Sequence, residues 1–179
     1  LAAALEVRGD ERFSRTQRWW STLMASADID DRVSIPGTGP VAFASFSFDP
    51  SAGTSLVIVP KVIVGRRKGQ SWLTSIDVDE PAGRTSLPPA SVPTPPTSVT
   101  WSDGRQSPAE WQDCVAEAVT RVRAGELDKV VLARDVVGHV EGELDARFLL
   151  HQLAADYPSC WTFSVGNLAG ATPELLVRR

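Results

Sequence analysis

Between residues 80 and 100 the chain carries six prolines: Pro81, Pro88, Pro89, Pro93, Pro95 and Pro96. Proline fixes φ and has no N–H to give to a ladder. Such a stretch can be neither a helix nor a central strand. A long surface connection is therefore expected, covering residues 80–106, with a half of different character on each side of it. Strand signals dominate before it. After it the pattern reads helix, strand, helix, strand, strand.

In the first half, "FSRTQRWWSTLM" (13–24) reads as a helix with Trp19, Trp20 and Leu23 on one side, as core or packing surface. In "GPVAFASFSFDP", Val41, Phe43, Ser45 and Ser47 alternate with Ala42, Ala44, Phe46 and Phe48. That predicts a strand stopped by Asp49-Pro50. "SLVIVPKVIVGRRKGQSWLTSI" predicts a strand pair, with the turn in Gly65–Gly69 between Ile63-Val64 and Trp72-Leu73. The three basic residues of that turn lack a following helix, so a solvated hairpin tip is a better reading than a phosphate loop.

The second half opens with a sharp start signal. Ser107 is placed to cap, Pro108 takes the first helical position, and Glu110 stands three residues after the cap. Trp111, Cys114, Val115, Ala118, Val119 and Val122 follow helical spacing until Gly125. "GELDKVVLARDV" (125–136) then reads as a strand. "DARFLLHQLAADYP" reads as a helix from about Asp145 to Pro158. "CWTFSVG", the turn Gly166-Asn167 and "LAGATPELLVRR" read as a strand and its return. No repeat and no dinucleotide fingerprint is present. The order fits an α+β fold with a large, mostly antiparallel sheet and outer helices.

Of the 179 residues 42% are hydrophobic, enough for one domain with a sizeable core. A net charge of −4 gives no reason to expect nucleic acid or an anionic membrane as a partner. No apolar run approaches the length that spans a bilayer. "LAAALEVRGDERF" lacks the basic start of a signal peptide. Two cysteines, Cys114 and Cys160, fit buried free thiols in a cytoplasmic protein better than a disulfide framework. The first residue is not Met and the last strand runs to the final residue, so a piece of a longer protein is expected.

Two residues are candidates for chemistry. Lys129 stands at the mouth of the apolar run Val130-Val131-Leu132-Ala133. On a strand it shares a face with Val131 and Ala133, opposite Val130, Leu132 and Arg134. It could simply reach out to water along its stem. If its face is interior, desolvation disfavours the ammonium and leaves an amine able to take a proton from water. Glu174, in "GATPELLVRR", follows Pro173 and precedes Leu175-Leu176. It is either a solvent-facing glutamate or a carboxyl whose apolar neighbours raise its pKa, as suits a general acid. Sequence spacing cannot say whether the two face each other. His139 and His151 have no metal-ligand spacing and read as surface or packing residues.

"AGELDKVVLARDV" followed by "FSVGNLAGATPELLVRR" resembles the chorismate-utilising enzymes, in particular the isochorismate synthase branch. "FASFSFDP" and "SPAEWQDCVAEAVTRVRAGELDKVVLAR" match the upstream landmarks of that family, and the resemblance covers roughly residues 35–179. It implies a sandwich of two antiparallel sheets with helices outside, of which residues 1–179 would be the N-terminal part. Lys129 matches the family's water-activating base. The anthranilate branch usually has glutamine there, so no glutaminase subunit is expected. Glu174 matches the general acid of the family's G-x-S/T-P-E motif. The implied substrate is chorismate and the implied cofactor Mg²⁺, with its ligands in the family's second half. Isochorismate would then feed siderophore or menaquinone synthesis. A salicylate synthase and a non-catalytic chorismate-binding or scaffold relative are the alternatives. By itself the 179-residue piece is expected to be inactive.

Overall fold

A computed structural model describes residues 1–78, 86–87, 89–175 and 177. Pro81, Pro88, Leu176 and the terminal arginine pair lie outside the described residues. The chain divides into two compact units, Leu1–Ser91 with Leu150–Arg179, and Val92–Leu149. One boundary falls inside the proline-rich stretch and the other between Leu149 and Leu150.

The first unit is built on one three-stranded antiparallel sheet. Strand β3 (Ser55–Val59) lies in the middle, with β1 (Ala3–Val7) on one side and β2 (Phe43–Ser45) on the other. Leu5 pairs with Val57 and Ala44 pairs with Val57 from the opposite edge. Period-two alternation sends Ser55, Val57 and Val59 to one face, and that face is where burial occurs. Val7, Val57 and Val59 are buried, together with Ser55. The Ser55 hydroxyl is satisfied there, accepting from the Ser47 N–H at 3.0 Å.

Helix α1 (Arg12–Ala25) is fastened by its first residue rather than by a cap. Arg12 donates to the carbonyls of Ser47, at 3.0 Å, Gly9 and Phe48. Phe13 meets the Phe46 ring at 4.7 Å between centroids. Strands β4 (Val62–Arg67) and β5 (Gln70–Ser75) form a ribbon, with Arg67 opposite Gln70. Its turn is the two-residue Lys68-Gly69, with φ of +49° and +83°, the mirror-image geometry that suits the right-handed strand twist. The expected turn over 65–69 is thus shorter, because Gly65, Arg66 and Arg67 continue the ladder. The last ribbon, β8 (Trp161–Val165) with β9 (Leu168–Thr172), turns at Gly166-Asn167 as expected. The return strand stops at Thr172, since Pro173 cannot donate to a ladder.

The second unit contains β6 (Val99–Asp103), α2 (Pro108–Arg123) and β7 (Val136–Val140). β6 pairs antiparallel with β7, so the end of the expected 80–106 connection is a strand. Helix α2 starts where its signals place it. The Glu110 N–H donates to the Ser107 hydroxyl at 3.3 Å, and the Ser107 N–H donates to the Glu110 carboxylate at 2.8 Å. It ends at Gly125, whose φ is +74° and whose N–H reaches the Val122 carbonyl. Helix α3 (Ala146–Asp156) begins one residue after Asp145, whose carboxylate accepts from the Arg147 N–H.

Helices and antiparallel strands make this an α+β chain. The single large sheet is not formed by the described residues, which give a three-stranded sheet and three two-stranded ribbons. Of the strand expected over 125–136 only the last residue is in a strand, since β7 begins at Val136. A strand needs a neighbour, and no described strand runs beside that segment.

The capping box gives a sharp test. Ser107→Ala should cost α2 about 1 kcal/mol, read as loss of helical backbone chemical shifts over residues 108–123. Hydrogen bonds from Ser107, the backbone N–H first, hold the Glu110 carboxyl below its ordinary 4.5. A depressed carboxyl stabilises the folded form above its unfolded pKa and loses that contribution as pH falls through the folded value. Helicity of α2 should therefore decline on acidification below about 4.5, a step that Glu110→Gln removes. A pH-independent α2 in both chains would contradict the box.

Candidate active site

Lys129 lies in an irregular segment that is fixed at both ends. Upstream, the Glu126 N–H closes on the Arg121 carbonyl as α2 ends. Downstream, the Arg134 guanidinium donates to the Asp103 carboxylate at 2.6 Å and to the Gln106 carbonyl at 3.3 Å. The Asp135 carboxylate accepts the Arg105 N–H at 2.9 Å. The stretch between these anchors runs past the apolar side of α2.

Helix and segment enclose a cleft of about 450 Å³. Val115, Ala118, Val119 and Val122 of α2 form one wall. Val130 and Leu132 form the other, and Asp128, Lys129 and Arg123 complete the lining. Lys129 therefore keeps company with Val130 and Leu132, not with Val131 and Ala133 as strand alternation predicts. Without a partner strand nothing holds the segment to a two-residue period, and Val131 is 81% exposed. Lys129 is itself exposed, and among the described residues it makes no hydrogen bond or ion pair. The interior face expected for it is not provided by the described residues. The cleft is legible in part, since the helical spacing of Val115, Ala118, Val119 and Val122 gives the apolar stripe of α2 but not that it faces Lys129.

Glu174 belongs to the other unit, two residues beyond the end of β9. Pro173 lets it turn back, and the Thr172 hydroxyl donates to its carboxylate. Its own N–H reaches the Thr172 hydroxyl oxygen at 3.3 Å. The Thr172 hydrogen bond, aided by that N–H, holds the Glu174 carboxyl below the ordinary carboxylate value. Of the two readings open for it, the described residues give the solvent-facing glutamate: Leu175 is exposed, and a donor two residues upstream in the sequence favours the charged form.

The histidines behave as surface residues. His139 Nε2 lies 3.0 Å from the Ser102 hydroxyl across the β6–β7 ribbon. Both cysteines are free thiols; Cys114 is exposed rather than buried, because the face of α2 that carries it is uncovered. Among the described residues no group of three or more His, Cys, Asp or Glu side chains could hold a metal ion. The residues in hand do not fit a Mg²⁺ site, which needs converging oxygen ligands. No helix among the described residues is long and apolar enough to cross a membrane.

Comparison with known proteins gives these residues their context. MenF of Mycobacterium tuberculosis is 31% identical over 156 residues, covering 80% of this chain and 37% of that protein. The salicylate biosynthesis isochorismate synthase of Pseudomonas aeruginosa is 26% identical over 210 residues, 99% of this chain and 42% of its own length. Isochorismate synthase EntC of Escherichia coli is 27% identical over 180 residues, 97% of this chain and 41% of its own. The chain thus spans about two fifths of the length of these relatives. No solved structure matches it significantly. The family model described as "Chorismate binding enzyme" matches residues 1–179, from the first to the last, and the chain belongs to that family.

Proposed function

We propose that this chain is the part of an isochorismate synthase that carries the base and the acid of the reaction. The observation that carries the reading is Lys129 at the rim of an apolar-walled cleft, in a chain that matches the chorismate-binding family throughout. A cleft of about 450 Å³ is of the size that takes a small ring compound. An amine is also the group a water-using branch needs at this position. The names of the Pseudomonas and Escherichia relatives support the same reaction.

In this reading the substrate is chorismate. Lys129, as the neutral amine, takes a proton from water while the water oxygen bonds to ring C2. The ring double bonds shift, the C4–oxygen bond breaks, and Glu174 protonates the departing hydroxyl so that it leaves as water. One water enters and one leaves, so the change is an isomerisation. Lys129 is exposed, and the Thr172 hydroxyl favours the charged form of Glu174. The reading therefore needs further polypeptide to desolvate Lys129, to hold the substrate carboxylates, and to supply ligands for Mg²⁺. By itself the 179-residue chain is inactive. The cytoplasm suits its two free thiols.

Two measurements test this. In the protein at the length of its relatives, Lys129→Gln and Glu174→Gln should each lower the rate of isochorismate formation on the order of 10²-fold or more, with chorismate binding retained. A scaffold role predicts unchanged behaviour, and salicylate as the product would move the chain to the other reading. Separately, Thr172→Val should raise the Glu174 titration midpoint, followed by carboxyl carbon shifts in NMR, because the donor that favours the carboxylate is gone. An unmoved midpoint would show that Thr172 does not control the acid.

A further inference from the structure

We infer that Arg134 is a positioning residue for Lys129, holding the segment that carries this lysine against helix α2. The inference rests on the reading of Lys129 as the base, and adds what places that base.

Arg134 stands out first by its cover. From 125 to 136 every residue but Arg134 is exposed, the apolar Val130, Val131 and Leu132 included. The Arg134 side chain is 24% exposed. A charged residue is covered here because its hydrogen bonds are made. The guanidinium donates to the Asp103 carboxylate at 2.6 Å and, through Nε, to the Gln106 carbonyl at 3.3 Å.

Both partners belong to the stretch that joins β6 to α2, and that stretch grips in two directions. Towards the Lys129 segment it holds Arg134, while the Arg105 N–H donates to the Asp135 carboxylate at 2.9 Å. Towards the helix, the Gln106 side-chain amide donates to Cys114 Sγ at 3.3 Å, and Ser107 caps α2. Gln106 therefore links Arg134 to α2, with its carbonyl on one and its side chain on the other. The approach is close enough to require Gly104, where a Cβ would lie 2.3 Å from the Asp135 carboxyl carbon. A larger residue there would push that carboxylate off the Arg105 N–H.

A surface ion pair holds little by itself. Here three hydrogen bonds act on the adjacent residues 134 and 135, and the planar guanidinium fixes direction as well as distance. Among the described residues, 127–133 make no hydrogen bond, so the ends of the segment place Lys129. The segment leaves the C-terminal end of α2 and is fastened again beside its N-terminal end. That second fastening sets how the wall of Val130 and Leu132 faces the wall of α2 across the cleft. A shift of about 1 Å in a catalytic group, caused away from the chemistry, can cost about 10²-fold in rate.

The protein at the length of its relatives tests this with chorismate as substrate. Arg134→Gln should lower kcat on the order of 10-fold or more and leave KM within about twofold. Arg134→Lys keeps the charge but not the fork, and should recover part of the loss. In a chain that already carries Lys129→Gln, Arg134→Gln should cost nothing further, because it acts through that amine. Losses that multiply in the double variant would overturn the inference, since general damage to the fold acts whatever stands at 129. A full rate in Arg134→Gln beside a slow Lys129→Gln would overturn it and leave the reaction standing. A full rate in Lys129→Gln would remove the base itself, and the inference with it. Hydrogen exchange reads the grip without chorismate: Gly104→Ala should speed exchange of the Arg105 amide on the order of 10-fold or more. An unchanged amide would show that residues 103–107 do not hold the segment.

Discussion

Burial in this molecule depends on β3. Its alternation sends Ser55, Val57 and Val59 inward, and its two edges receive β1 and β2 in antiparallel register. Arg12 then ties α1 to the loop that follows β2 through the carbonyls of Ser47 and Phe48, and to the turn before the helix through that of Gly9. One polar hydroxyl, that of Ser55, sits in this core with its hydrogen bond made. Away from this place order is local. It comes from caps, tight turns and strand pairs that exhaust their hydrogen bonds on one neighbour and leave the other edge open. Such elements hold their shape by short-range chemistry and wait for long-range contacts to bury their apolar faces.

That division explains what could be read from the sequence. Ser107, Pro108, Glu110 and Gly125 specify both ends of α2 by interactions that span at most a few residues, and the structure places them as the pattern implies. The turns of β4–β5 and β8–β9 are local in the same sense. The segment at Lys129 is not. Val130, Val131 and Leu132 have strand-forming side chains, but a strand also requires a partner's backbone, and no motif in 125–136 names that partner. Alternation therefore predicts the wrong neighbours for Lys129, and the wall it does face comes from the apolar stripe of α2. For Glu174 the sequence leaves a solvent-facing and an apolar setting open, and the group its carboxylate meets is the Thr172 hydroxyl two residues before it.

Lys129 and Glu174 pose the same physical problem from opposite sides. Base catalysis by a lysine wants an uncharged amine, and acid catalysis by a glutamate wants an uncharged carboxyl. Exposure to water works against both. In this chain each is carried on a rigid local feature, Lys129 between the α2 terminus and the Arg134–Asp103 pair, Glu174 on the Pro173 corner. What they lack is low dielectric surroundings, and that is also what the uncovered apolar surface of the chain lacks. Covering the one would create the other.

The central claim is that solvent water supplies the new hydroxyl while the old one departs. The full-length protein turning over chorismate in water enriched in oxygen-18 tests it most directly, with the product examined by mass spectrometry. The account predicts isochorismate carrying one heavy oxygen, placed at C2. Isochorismate without label would contradict it, because the hydroxyl would then have migrated within the ring and Lys129 would have no water to activate.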